Sequence, residues 1–597
     1  MNFSSISRLS GVAGEIKSSV ENCSQELKSI GCNLNLGRAG EQLQSSLNQM
    51  SNQCSAHAQR IQRMGATMQH ASEIMQRAEN KVVENNMMSA VPKELRGSYI
   101  SNTLNNSAAG AALPLSGILP GRAYGGDPVS MYSGNFLWQF TPMSTYSGNV
   151  LDFTIYYDSI NSKDNGLGKG WRHNFMTEVV HVDLKVWAVT DGGGISSFFA
   201  EGDDGIFYPQ QPTTQRLVRV EDGYRYYLPE EQLSYKFNTE GRLVGIYDRE
   251  IETQSIEYEK DLPLRINAQH GYFFNLSYDA AGHLILAEDN IGRSLKLEYE
   301  GDLPVSLTIC TEPGSDSAKS YNNRRYSFVY DEQRYLTEVT DPENKTFFTN
   351  IYDKYGRVVK QELSKERYFE FVYEEGRTIN TDQDGFSVEY VHDRRGNLIH
   401  LQSPLIKYDA EYDDNGRITK KILNDSEITR YGYNHFGQLA SVSNSNFVHN
   451  FIYDGEHRFK EYIFNGRVYL SLDYDNVGNN IAIHYLGDIA HLFYYDEQNR
   501  LVGYEAEGES CSIAYNEQGF ISSIDSPEDF SEYYTYDGIG RITGVRLTSG
   551  REINYAYAFN DLFSYVNDEF GNDISLEYSA AGALKTYTEG KRKAEYS

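Results

Sequence analysis

The stretch Tyr536-Asp-Gly-Ile-Gly-Arg-Ile-Thr-Gly544 decides the fold, because the chain repeats it almost unchanged. Near copies stand at Tyr352 (YDKYGRVVK), Tyr412 (YDDNGRITK) and Tyr495 (YDEQNRLVG). From Tyr352 to Tyr578 the eleven intervals between the opening aromatics are 21, 19, 20, 21, 20, 21, 21, 20, 21, 21 and 21 residues. Counting back to Phe237 gives seventeen copies, with one long interval of 31 residues between Tyr299 and Tyr330. That interval holds TEPGSDSAKSYNNRR (Thr311–Arg325), which reads as a surface loop.

Each copy spells a reversal. Asp353, Asp413 and Asp537 can accept backbone N–H groups across a tight turn, and Gly356, Gly416 and Gly540 suit the positive φ of a turn closed by a bulge. Between turns the residues alternate: Ile553, Tyr555 and Tyr557 share one face, Asn554 and Ala556 the other. Two strands of about six or seven residues and two short turns use about twenty residues, so one period is one hairpin. A lone hairpin is marginal in water, so each must pair with the next in an antiparallel ribbon stabilised by nearest neighbours. More than thirty strands exceed what an open twisted sheet holds, and the ribbon has to coil or close.

Composition agrees with a mainly β fold. The chain has 47 Tyr and 28 Phe against 3 Trp and 14 Pro in 597 residues, and tyrosine favours half-buried pleated surfaces. The net charge of −29 opposes a phosphate backbone, and no basic stripe offsets it, so nucleic acid is excluded as partner. Cys23, Cys32, Cys54, Cys310 and Cys511 form no CxxC pair and read as reduced, buried thiols. No run of 18 apolar residues and no leader h-region is present, so the expectation is no membrane span and, for an exported chain, a route without a cleaved leader.

Four segments follow. Residues 1–87 carry apolar residues alternately four and three apart (Leu43, Leu47, Met50, Cys54, His57, Ile61) and predict an α-helical hairpin or coiled coil. Residues 88–126 are rich in Gly, Ala and Pro and predict a linker or threading segment. Residues 127–235 predict a β domain ahead of the repeats, and residues 236–597 the hairpin array, which stops in mid-array.

The YDxxGRL phrase at this period resembles the YD repeat of RHS proteins, shared with teneurins and the B and C components of ABC toxin complexes. DPVSMYSGNFLWQF (Asp127–Phe140) and GLGKGWRHNF (Gly166–Phe175) resemble the domain that precedes the repeats in bacterial RHS polymorphic toxins. The resemblance covers Asp127 to Ser597. The signature it assigns is Asp127, Pro128, Gly134, Asn135, Gly170, Trp171 and Asn174, with the turn residues Tyr352, Asp353, Gly356, Tyr412, Asp413, Gly416, Tyr536, Asp537 and Gly540. It implies a hollow β-shell enclosing a toxin, delivered by type VI secretion or a translocation complex. It also implies partners: a C-terminal shell or toxin polypeptide completing the array, and a chaperone or spike component met by the N-terminal helices. The family's DPxGxxG core and C-terminal toxin domain are not found in this sequence, so the expectation is a truncated chain or one half of a two-chain shell.

No cofactor, metal or catalytic motif is expected, and the chain reads as a non-enzyme. GLGKGW lacks the strand-turn-helix context of a dinucleotide loop, His173 has no catalytic or metal partner at a recognisable spacing, and TDQDGF (Thr381–Phe386) fits a hairpin turn. The many carboxylates read as turn residues facing water. The alternative function is recognition of glycans or a cell surface through exposed tyrosines.

Overall fold

A computed structural model describes residues 124–125, 129–144, 151–161, 166–183, 185–310, 323–364, 366–404, 406–506, 508–526, 531–558, 562–568 and 573–596. All of them belong to one compact unit. The helical hairpin expected in residues 1–87, the linker 88–126 apart from Tyr124–Gly125, and the signature pair Asp127 and Pro128 lie outside the described residues.

The ribbon forms as the period requires. A single sheet of 37 strands runs from Arg216–Val220 to Arg592–Glu595, and every strand is bonded to its neighbours in sequence order. Pairing is antiparallel, with a register shift at the aromatic that opens the turn, as between Ile351 and Tyr352 or Glu411 and Tyr412. This bulge follows from the positive-φ glycine: Gly356, Gly416 and Gly540 have φ of +78°, +76° and +90°. The sheet starts ahead of Phe237, where the phrase is first legible. The supposed loop Thr311–Arg325 is shorter than expected, because Asn323–Arg325 already pair in the strand Asn323–Tyr330. TDQDGF is a hairpin turn, with the Asp382 amide bonded to the Phe386 carbonyl.

Three smaller sheets precede the ribbon. One pairs Tyr124–Gly125 with Val129–Ser130; one has three strands, Leu137–Met143, Phe153–Asp158 and Trp171–His173; one has four, Glu178–Asp183, Val186–Thr190, Ser196–Glu201 and Phe207–Pro209. The three-stranded sheet acts as a plug. Phe153 packs edge-on against Phe274 (5.8 Å), Phe136 against Phe348 (4.5 Å) and Trp171 against Phe328 (5.0 Å). Along the strand Phe273–Tyr278, Phe274 and Leu276 are buried and share their face with Tyr278, so the face bearing the motif tyrosines looks inward onto the plug.

The ribbon then meets itself. Gln232 bonds the Gly478 carbonyl, 246 residues away; Arg249 bonds Asn479, 230 away; Tyr272 bonds the Gly538 carbonyl, 266 away. One revolution therefore takes about a dozen hairpins, and the repeat turns of the second winding rest on the reverse turns of the first. One hydrophobic core joins the plug to the first winding as far as Tyr390, Leu398 and Leu401, and Phe520 and Tyr536 are its members from beyond that point. Farther on, Glu552–Tyr557 alternates exposed and half-buried residues. Among the described residues no helix is long and apolar enough to cross a membrane.

Candidate functional site: the repeat turn and what it holds

The repeat turn uses each residue of its phrase. In the turn after Tyr352, the Asp353 amide donates to the Arg357 carbonyl (2.9 Å) and the Gly356 amide to the Asp353 carbonyl (3.0 Å). The Asp353 Oδ1 accepts from the amides of Tyr355 (2.8 Å) and Arg357 (3.1 Å), and Oδ2 holds the Arg357 guanidinium at 2.6 Å. The same set recurs in the turns opened by Asp413 and Asp537. Burial alone would raise Asp353 and Asp413, but the ion pair and the amide bonds outweigh it and hold both carboxyls below their ordinary value. The carboxylates read from sequence as facing water are thus bound into the turn.

The arginine also reaches forward. The guanidiniums of Arg357, Arg417 and Arg541 lie over the rings of Tyr373, Tyr433 and Tyr557, the aromatics opening the next turn, at 4.7, 4.7 and 4.5 Å. The tyrosine reaches back: fourteen of them donate their hydroxyl to the carbonyl of the residue just past the preceding turn, at 2.6–2.9 Å, from Tyr258 to Leu243 through Tyr433 to Ile418 and on to Tyr557 to Ile542. Each turn is therefore clamped to both neighbours by side chains as well as by the ladder. Burial pushes the Tyr433 hydroxyl up to about 12, so it stays protonated and donating. Tyr433→Phe is expected to cost about 0.5–1.5 kcal/mol, read as a lower urea midpoint of the full chain; an unchanged midpoint would remove the clamp from the argument.

The bulge leaves the residue past the turn with an amide outside the ladder, and in the first winding the plug accepts it. Leu284 donates to the Gly166 carbonyl (2.8 Å), Leu336 to the Tyr157 hydroxyl (2.9 Å) and Val358 to the Gly134 carbonyl (2.9 Å). This explains the plug's signature residues. Gly134 has φ +74°, and a Cβ there would meet the Arg357 side chain at 2.6 Å. Asn135 bonds Asp158 at 2.7 Å, and the Gly170 carbonyl accepts the Asp158 amide at 2.9 Å. Asn174 bridges two strands, accepting from the Thr154 amide and donating to the Asp152 carbonyl. Trp171 is buried, its Nε1 donating to Tyr330 at 3.0 Å. Gly166, Gly168 and Gly170 are a close-packed turn of this plug and open no helix.

His173 is fully buried between Phe153 and Phe175, and its Nδ1 accepts the Phe175 amide. Burial, assisted by the neighbouring Arg172 charge, holds it down to about 3. The folded state therefore keeps it neutral while the unfolded chain takes a proton below its ordinary value of 6.5. Stability falls as pH drops from there towards 3, by about 1.4 kcal/mol per unit from this group. A melting-temperature series should show a shallower acid slope in His173→Gln than in the parent; equal slopes would refute the assignment.

Sequence reading found the tyrosine, aspartate and glycine of the turn but left Arg357, Arg417 and Arg541 out of the signature, although their spacing from the aspartate was visible. Gln232, Arg249 and Tyr272, which join the windings, carried no signal at all. Cys310 and Cys511 are free and half-buried, and among the described residues no cluster of His, Cys, Asp or Glu could hold a metal.

Comparison with known proteins agrees with the turn. A domain of unknown function (DUF6531) matches residues 126–198, and the RHS repeat matches residues 412–446. No curated protein matches the chain. Among solved structures, TcdB2-TccC3-Cdc42 is 12% identical with a TM-score of 0.39, covering 83% of this chain and 33% of the solved one. TcdB2-TccC3 without its hypervariable C-terminal region gives 12%, 0.39, 83% and 32%. The Photorhabdus luminescens Tc holotoxin pore gives 13%, 0.35, 76% and 26%. The chain thus spans about a third or less of those chains, and the assignment rests on the repeat itself, matched at 412–446 and continued in register on both sides. Residues 412–446 thus carry an RHS repeat, and the turn phrase of that segment recurs in register on both sides of it.

Proposed function

We propose that the chain is a non-enzymatic RHS-type scaffold whose coiled ribbon encloses or carries a secreted toxin or effector polypeptide. The observation that carries the reading is a change along one face. In the first winding the tyrosine-bearing face is filled by the plug's aromatic side chains. Beyond Leu398 the same face continues with Tyr431, Phe451, Tyr462, Leu472 and Phe493, all buried but outside the core that joins plug and first winding, Phe493 in a separate cluster with Ile483, Leu501 and Ile513. Charges there are few: Lys421 stands beside the Tyr408 ring at 5.6 Å, where burial holds it down to about 8. A curved, aromatic, weakly charged wall suits an extended or partly unfolded polypeptide, which presents apolar side chains of its own.

The glycan reading has less support, because the motif tyrosines are half-buried and their hydroxyls are bonded to backbone. The test is to purify the protein from its natural host, treat it with protease, and identify the surviving polypeptides by mass spectrometry. A second polypeptide, resistant while the shell is folded and digested once it is denatured, is expected. Recovery of this chain alone, with no protected companion, would overturn the proposal.

A further inference from the structure

The ribbon is held at two seams of different construction. Against the plug and the four-stranded sheet, backbone donates to backbone: Leu284 to Gly166 and Val358 to Gly134 at the plug, Val179 of the four-stranded sheet to Gly241, at 2.8–2.9 Å, above a continuous aromatic core. Between the windings the hydrogen bonds start from side chains, and Phe520 and Tyr536 carry the core across, Phe520 against the Tyr272 ring at 6.4 Å. Gln232 Nε2 donates to the Gly478 carbonyl (2.9 Å), Arg249 Nη1 to Asn479 Oδ1 (2.8 Å), and Tyr272 Oη to the Gly538 carbonyl (3.2 Å). Lys585 pairs with Glu343 at 3.7 Å. Gln, Arg and Lys lose much rotamer freedom when held, and an exposed ion pair returns little of it. The strand ladder itself connects each strand to its sequence neighbours and does not cross this seam. The second winding can therefore part from the first with every ladder bond intact, giving up these side-chain bonds and the contacts of Phe520 and Tyr536 with the core.

We propose that the winding seam is a built-in opening: the ribbon beyond about Leu398, which completes the first winding and forms the second, swings away as a flap hinged on the continuous sheet, while the earlier part of the first winding stays closed on its plug. The movement is argued from these seam contacts; its use, admitting or releasing an enclosed polypeptide, rests on the function proposed above.

Distances between spin labels on the full chain, its five cysteines replaced by serine, test this. Labels at Glu250→Cys and Val477→Cys, exposed neighbours of Arg249 and Gly478, report the winding seam; labels at Ile160→Cys and Tyr355→Cys report the plug. The seam pair should show a second, longer distance, and the plug pair one distance. Arg249→Ala should raise the share of the longer distance about three- to tenfold, the effect of losing one side-chain bond. Gly437→Ala should raise it too, since its Cβ would lie 2.4 Å from the carbonyl oxygen of Pro212, in the segment that leads into the first winding. Gly416→Ala should not: its glycine has a similar positive φ, +76° against +87°, but the nearest atoms to its Cβ are at 3.6 Å. A single short distance for the seam pair in all variants would overturn the proposal, as would equal broadening by Gly416→Ala. Either failure leaves the protease-protection result, and hence the encapsulation reading, standing or falling separately.

Discussion

Replacing Trp171 by alanine is expected to destabilise the protein by about 3–5 kcal/mol, the range for removing a large buried aromatic. Trp171 is 2% exposed and sits where plug and ribbon meet, its ring centre 5.8 Å from Trp138, 5.1 Å from Tyr157 and 5.0 Å from Phe328. Its Nε1 donates to the Tyr330 hydroxyl, which in turn donates to the Pro304 carbonyl. The alanine variant opens a cavity between the plug and the first winding and removes one bond of that relay. Trp171→Phe keeps most of the volume and should cost about 1–2 kcal/mol. Urea unfolding of the full chain followed by circular dichroism gives both numbers. A loss for Trp171→Ala no larger than that of an exposed control such as Val477→Ala would mean that the plug does not support the ribbon.

Asp289→Ala should have an effect of similar size for an electrostatic reason. The pair Asp289–Arg293 closes a reverse turn of the first winding, with side chains 2% and 10% exposed and Nε 2.6 Å from Oδ2. Oδ1 also accepts the amides of Ile291 and Arg293, while Arg293 Nη1 donates to the Ser144 carbonyl of the plug segment. Removing the carboxylate strands a buried cation, which costs about 3–5 kcal/mol. The same substitution at Asp413, whose pair is 22–24% exposed, should cost about 1–2 kcal/mol, because water and the Tyr433 ring still stabilise Arg417. Adding Arg293→Met to Asp289→Ala should restore part of the loss, since no unpaired charge remains buried. Equal costs at the two aspartates, or no recovery in the double variant, would show that burial of the pair is not the source of its strength.

These two sites divide the legible from the illegible. Trp171 was placed in the pre-repeat domain from its motif, and its burial could be expected for so large an apolar ring. What it touches could not: Phe328 and Tyr330 are more than 150 residues away, and nothing in either stretch names the other. Asp289–Arg293 has the DxxGR spacing of the repeat turn, yet it stands on the opposite edge of the ribbon, where spacing alone does not tell a reverse turn from a repeat turn.

By itself the sequence determined the hairpin, its length and the order of the sheet. An alternating strand of six residues, followed by Asp, Gly and Arg at fixed offsets, has one low-energy way to reverse, and the cheapest loop closure pairs it with its immediate neighbours. The direction of the tyrosines, the dozen hairpins in one revolution, the plug and the seam were decided only in three dimensions. Curvature is the sum of small twists over many strands, and its closure depends on contacts between residues 230–266 apart, such as Arg249 with Asn479 and Tyr272 with Gly538. Those contacts use side chains and carbonyls that any turn could offer, so no local pattern marks them; the repeat names its next neighbour and is silent about the turn that lies above it one revolution later.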